Sequence, residues 1–372
     1  MEPSVMVRQV ADLPNVTRDQ TPVFDMTMRN ALTTLEYGSL RRVFLTGDGD
    51  SYHATMACEL AFENISKMPC EPMSAQRFLD YGADWMPVPN PSSTLVVGIS
   101  ASGKTQRVAQ SLERANARGA LTLALTGTAG SPITTVAQRS AVVAVPNMGP
   151  SPGIRTYQAT LMGLLLLAIR IGEIKNKYHQ DEANAMRSEV AALSDAVAAT
   201  AKASEQPARE AAAAFKDSPI QVWLGSGPSY GTALFASAKV VEAASVFAVG
   251  QDLEEWNHVE KFALPHDVPT FIIAPPGRSY WRAIELARQA HQLGRRVVAV
   301  TQEGDTDIAP LADFVFPVMG KVREEFSPLL YHIAANLFAS YLAENLGRKL
   351  FQADNPVFRA ALAAYNAQSQ PH

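Results

Sequence analysis

Two stretches decide the architecture: Arg42–Tyr52, RVFLTGDGDSY, and Gln221–Tyr230, QVWLGSGPSY. Each is an apolar run that ends in Gly-x-Gly-x-Ser-Tyr and opens into residues with helical periodicity, His53 to Ile65 in the first copy and Thr232 to Ala244 in the second. A strand, a tight glycine turn and a helix form the start of a doubly wound unit. The two tyrosines lie 178 positions apart, so the chain carries this unit twice.

The echo continues outward. Ser93 to Ser100 reads as a strand, Thr105 to Arg118 as an amphipathic helix closed by Gly119, and Leu121 to Thr126 as the next strand. Their counterparts are Pro269 to Ala274, Trp281 to Leu293 with Gly294, and Arg296 to Thr301. Short β-rich runs alternating with helices of about a dozen residues require parallel strands joined by right-handed crossovers. The expected fold class is α/β: two Rossmann-like or flavodoxin-like domains, each a parallel sheet flanked by helices in three α/β/α layers. The expected boundaries are 35–175 for the first domain, 176–217 for an Ala-, Glu- and Lys-rich connector of helices, 218–350 for the second domain and 351–372 for a tail. An amphipathic helix from Ser327 to Leu346 is expected to pack on the second sheet, with Pro356 as a stop in a tail ordered only when something covers it.

Composition sets the outer limits. Of 372 residues, 47% are apolar and 18% charged, which supports packed cores and confines expected disorder to the ends. The net charge of −4 provides no basic field for nucleic acid or an acidic membrane surface. Cys58 and Cys70 are the two cysteines, without metal or disulfide spacing. The first thirty residues carry Asp12, Arg18, Asp19 and Asp25, so no signal peptide is expected. The most apolar run, Leu161 to Ile169, is read as a buried core helix too short to span a bilayer. A cytoplasmic protein is expected.

Ser100-Ala101-Ser102-Gly103-Lys104-Thr105 follows a buried strand and precedes a helix. Hydroxyls and unpaired amides gather there at the positive end of a helix dipole, which is the chemistry of an anion site. The alternative is that Ser and Thr only cap the following helix. A nucleotide fits poorly, because Tyr52 stands where a dinucleotide fingerprint needs its third glycine, and Gly103-Lys104-Thr105 lacks the upstream glycine of a P-loop.

Taken together, these residues resemble the sugar isomerase (SIS) domain family over about residues 35 to 350. The likeness is to its tandem branch, which includes the isomerase half of glucosamine-6-phosphate synthase, the fructosamine-phosphate deglycases and the galactosamine-phosphate deaminase-isomerases. The resemblance implies that Gly49, Asp50 and Ser51, with Ser100, Ala101, Ser102 and Thr105, hold a phosphate, and that Arg155 or Thr156 of Gly153-Ile-Arg-Thr156 touches sugar hydroxyls. In the second repeat it implies that Glu242 moves a proton between C1 and C2. It likewise makes His258 an aid to ring opening, reaching in from a second subunit, and Lys239 and Glu255 members of the same catalytic group. Lys239 and Glu242 are three apart and share a helix face. Read without the family they are an exposed ion pair of small worth, His258 is a structural histidine, and Asp252, Glu254 and Glu255 are a solvated acidic face.

The sequence also departs from the family. Ala274-Pro-Pro-Gly-Arg-Ser279 stands where a second phosphate motif would, so one phosphate site is expected. The tail offers Arg359 and no lysine near the place of the synthase's Schiff-base residue, and a guanidinium does not form that imine. About forty residues precede the first repeat and position 2 is Glu2, so no glutaminase segment is expected. The expected protein is a homodimeric sugar-phosphate isomerase, deaminase or deglycase acting on a hexose, hexosamine or fructosamine 6-phosphate without metal or cofactor. A sensor without turnover and a sulfonated sugar are the alternatives.

Overall fold

The computed structural model describes residues 2–86 and 90–368. Among the described residues, ten short strands fall into two all-parallel five-stranded sheets. The first comprises β1 (Arg42–Gly47), β2 (Cys70–Ser74), β3 (Thr94–Ser100), β4 (Leu121–Thr126) and β5 (Arg139–Val142), in the spatial order 2-1-3-4-5. The second comprises β6 (Ile220–Gly225), β7 (Phe247–Asp252), β8 (Pro269–Ala274), β9 (Arg296–Gln302) and β10 (Phe314–Val318), in the order 10-9-8-6-7. Read from the other edge this is the same order, so the duplication seen in the sequence is a duplication of topology. All seven residues of β3 and all six of β4 and β8 are buried, as continuous apolar runs covered on both faces must be.

The principal helices are α1 (Ser4–Ala31), α2 (Asp50–Ala61), α3 (Gln106–Ala117), α4 (Arg155–Ile174), α5 (Gln180–Ala214), α6 (Pro228–Ala244), α7 (Leu253–His258), α8 (Tyr280–Gln292), α9 (Ile333–Asn345) and α10 (Pro356–Gln368). Helices α2 and α6, which start the two repeats, pack directly on each other. Their backbones approach so closely that a Cβ at Gly231 would lie 2.3 Å from the Ala57 nitrogen. This contact joins the two halves face to face.

Several expectations are corrected. The N-terminal segment is not a disordered end: α1 runs for 28 residues through Pro14 and Pro22 and packs on α4, α5 and α9. Its buried residues Met6, Val10, Leu13, Phe24 and Met28 form the stripe that ties it down. The connector is one helix of 35 residues, α5, instead of several. The helix expected from Ser327 to Leu346 is divided at His332, and its α9 part is buried almost all round rather than on one face. Its Phe338 does pack against Trp223, Phe271 and Phe316 of the second sheet. Pro356 begins a helix instead of stopping one, since proline suits the first helical turn. Val357, Phe358 and Leu362 on that helix are exposed. Finally, the apolar run from Leu161 belongs to the 20-residue α4, which has the length and composition to cross a membrane. Burial decides the matter: 83% of its most apolar window is covered by the protein's own helices and sheet, so it is a core helix.

Candidate functional site

Neighbouring crossovers diverge where the strand order reverses, and in open parallel sheets the crevice beyond the carboxyl ends of those strands takes the ligand. In the first sheet this point lies between β1 and β3, which pair with Gly47 opposite Ile99. The loop Gly49-Asp50-Ser51 leaves β1 there and Ser100 to Thr105 leaves β3, so two segments fifty residues apart in sequence meet at one crevice. Ser100 is buried; its Oγ lies 2.8 Å from Thr105 Oγ1 and accepts the Gly103 N–H at 3.1 Å. Ser102 is exposed and accepts the Lys104 N–H at 3.3 Å. Thr105 occupies the N-cap position of α3 but makes no side-chain capping bond. Its hydroxyl faces Ser100 instead, which counts against capping as its purpose. In the second sheet the corresponding loop is tied by the Arg278 N–H to Glu324 Oε1 at 3.1 Å.

Beside the Ser100 loop lies a cavity of about 260 Å³, lined by Ala101, Gly127 and residues 145–153, with Arg155, Thr156 and Gln9 of α1. Thr156 is exposed to it. Arg155 is not free for a sugar: its Nε lies 2.6 Å from Asp12 Oδ2 and its Nη1 donates to the Pro146 carbonyl. Arg155 therefore ties the lining segment to α1, and both Gln9 and Asp12 enter the site from a helix the sequence reading had set aside.

Across the interface between the halves, Lys239 of α6 has no exposed surface at all. Its Nζ donates to Asp50 Oδ2 at 2.7 Å and to Glu242 Oε2, and lies 4.8 Å from the centre of the Phe235 ring. The pair is thus not the exposed one that spacing alone allowed. Burial would lower the Lys239 pKa, but the charges of Asp50 and Glu242 outweigh it and the ammonium is held above its ordinary value. For Asp50, burial pushes upward, yet Lys239 and His53 overcome it and keep the carboxyl below the usual range. For Glu242, burial pushes upward, Asp50 adds to that, and Lys239 only partly opposes them, so its pKa is raised. One ammonium shared by two carboxylates leaves a basic carboxylate at the mouth of the cluster, where the Glu242 side chain is 32% exposed. Such displaced pKa values gather at functional sites.

His53, one helical turn after Asp50, joins this cluster: its Nδ1 lies 3.8 Å from Asp50 Oδ1. The sequence reading did not single it out, although its i, i+3 spacing from Asp50 was visible. Phe235 stacks on Tyr157 at 3.7 Å, and both rings meet the edge of His332. His332 is fully buried between Gln158 at 2.8 Å and Asn336 at 3.0 Å. Gln158 in turn donates to Thr17 of α1 at 3.0 Å.

His258 and Glu255 stand apart. Both are exposed on α7, and His258 is paired with Glu254 at 3.2 Å. Among the described residues, no hydrogen bond or ion pair links either of them to Asp50, Lys239 or Glu242.

Residues 39–170 match the SIS domain family. The chain is 25% identical over 357 residues to the isomerizing glutamine–fructose-6-phosphate aminotransferase of Gloeobacter violaceus, covering 94% of this chain and 57% of that protein. It is 26% identical over 347 residues to the enzyme of the same name from Methanothermobacter thermautotrophicus, covering 92% and 55%. The chain therefore spans little more than half the length of these relatives. Among solved structures, the C-terminal domain of glucosamine-fructose-6-phosphate aminotransferase from Francisella tularensis superposes with a TM-score of 0.78 at 16% identity, covering 94% and 98% of the two chains. Glucosamine-6-phosphate deaminase from Thermotoga maritima superposes with a TM-score of 0.69 at 18% identity, covering 93% and 96%. At these identities the two structures share the fold.

Proposed function

Because residues 39–170 form a SIS domain and nearly the whole chain is homologous to about half of the isomerizing glutamine–fructose-6-phosphate aminotransferases, we propose that this protein binds a phosphorylated sugar and moves a proton between its C1 and C2. The observation that carries this reading is the buried Lys239 shared by Asp50 and Glu242 across the two halves, beside the crevice where Gly49–Ser51 and Ser100–Thr105 meet.

The phosphate takes the Ser51, Ser100, Ser102 and Thr105 hydroxyls and the amides of the α3 entry, where the helix dipole favours an anion. Fixing the phosphate places the sugar chain toward the 153–156 segment and α6. Glu242 is the base. Burial and the neighbouring Asp50 raise its pKa, which makes it a stronger proton acceptor than an ordinary carboxylate. Lys239 holds that carboxylate in place and supplies positive charge for the oxygen on which an enediolate develops. A binding protein without turnover gains nothing from a lysine buried between two carboxylates, since such arrangements are weak sources of stability.

The substrate class is a hexose, hexosamine or fructosamine 6-phosphate, and the reaction is an aldose-ketose isomerisation, with or without loss of an amine. His258, exposed in one chain, completes the site of a second subunit in a homodimer. The test is proton exchange in D2O, followed by NMR, with fructose 6-phosphate and glucosamine 6-phosphate. Deuterium is expected at C1 or C2 of at least one of them. Binding of both sugars without any exchange would instead favour the sensor.

A further inference from the structure

The Lys239 ammonium has three N–H donors to place and no exposed surface through which bulk water could take one. Two go to Asp50 Oδ2 and Glu242 Oε2, and among the described residues Nζ has no further hydrogen-bond acceptor. An unmet donor on a buried charge is costly. What Nζ also meets is the Phe235 ring: it lies over that ring, 4.8 Å from the centroid, inside the roughly 6 Å at which an aromatic face attracts a cation.

Resting on the functional reading above, we propose that Phe235, backed by Tyr157, is the third partner of the Lys239 ammonium and thereby a positioning residue for Glu242. Phe235, Lys239 and Glu242 stand at i, i+4 and i+7 of α6, so they form one stripe on one helix face. The ring is locked in place. Tyr157 of α4 stacks on it at 3.7 Å with 12° between the planes, and His332 meets the two rings edge-on at 5.4 and 5.5 Å. All three side chains are buried.

A phenyl ring suits this place because it attracts positive charge without accepting a proton. An oxygen acceptor there would compete with the two carboxylates for the ammonium, or titrate with them. The ring does neither, so the two strong bonds of Lys239 stay directed at Asp50 in one half and Glu242 in the other. Phe235 acts on the base only through Lys239.

The test changes the electrons of the ring and leaves its shape. Phe235 is replaced by 4-fluoro-, 3,5-difluoro- and 3,4,5-trifluorophenylalanine, which weaken the attraction for a cation step by step, in the wild-type and Lys239→Met backgrounds. Melting temperature is expected to fall with each fluorine when Lys239 is present and to lose that trend in Lys239→Met, where no cation remains. Equal trends in the two backgrounds would overturn the proposal. Should Lys239→Met not fold, 4-chloro- and 4-methylphenylalanine at position 235 decide instead, being nearly equal in size and opposite in electronic effect: the chloro chain must melt lower. The positioning role is read with fructose 6-phosphate in D2O. Exchange at saturating sugar should slow stepwise, by roughly three- to tenfold for three fluorines, while half-saturation and the affinity for inorganic phosphate stay within about twofold. Exchange indifferent to the fluorines would show that Phe235 does not position the base. Absence of exchange in the wild type would overturn the functional reading, a separate result, since the melting comparison needs no substrate.

Discussion

Lys239 in the second repeat and Asp50 in the first, 189 residues apart in sequence, meet at 2.7 Å with the lysine wholly buried. On the proposed function neither repeat contains a complete site, since the candidate phosphate loops belong to one and the proposed base to the other. The consequences can be tested residue by residue.

Glu242→Gln keeps the volume and hydrogen bonding of the side chain but removes its basicity. Turnover should fall by roughly 10²-fold or more while ligand binding changes little. Deuterium incorporation at C1 or C2 reads this directly, and undiminished exchange would pass the role of base to Glu255.

The pH profile should carry the same signature. A base must be ionised, so kcat/KM is lost as pH falls through its pKa, and the Glu242 pKa is raised above the ordinary carboxylate value by burial and Asp50. The acid limb is therefore expected above the usual glutamate range. A limb at or below that range would contradict the assignment.

Ser102→Ala removes an exposed hydroxyl from the anion loop without touching the core. The phosphate complex should weaken by about 1 to 3 kcal/mol, with turnover of bound sugar largely retained. Calorimetry with inorganic phosphate measures it.

If His258 acts in the neighbouring subunit, two inactive proteins should rescue each other. Mixed dimers of Glu242→Gln and His258→Gln chains contain one intact site out of two, so a refolded equimolar mixture should reach about a quarter of wild-type activity. A mixture as inactive as its components would place both residues in the same chain's site.

Burial lowers the His332 pKa to about 3. An unfolded histidine titrates near 6.5 and takes up a proton that the folded one refuses, so the stability His332 contributes is complete above about pH 6.5 and declines from there toward about pH 3. Thermal melts across that window should show the decline, and His332→Gln should flatten it even if the variant melts lower overall.

Much of this was legible in the chain itself. The strands β1, β3, β4, β6, β8 and β9 announce themselves as short apolar runs, because a strand buried on both faces has no polar alternation to hide it. The candidate anion loop was legible for a similar reason, since strand, hydroxyls and helix entry are contiguous. Helix α1 was not: Pro14 and Pro22 interrupt its helical pattern, and its apolar stripe means little until α4, α5 and α9 are there to cover it. Arg155 looked like a ligand because its partner Asp12 lies 143 residues away in the chain.

Sequence by itself determined the duplicated α/β plan, the strand–hydroxyl–helix form of the candidate anion loop and the helix carrying Lys239 and Glu242, whose signals lie in residues near one another along the chain. Only the tertiary structure decided that Lys239 is buried, that it is shared with Asp50, that His53 stands beside them and that His258 does not. Those facts follow from how closely α2 and α6 approach at Gly231, and burial between two distant helices is what turns a surface ion pair into a carboxylate with a raised pKa.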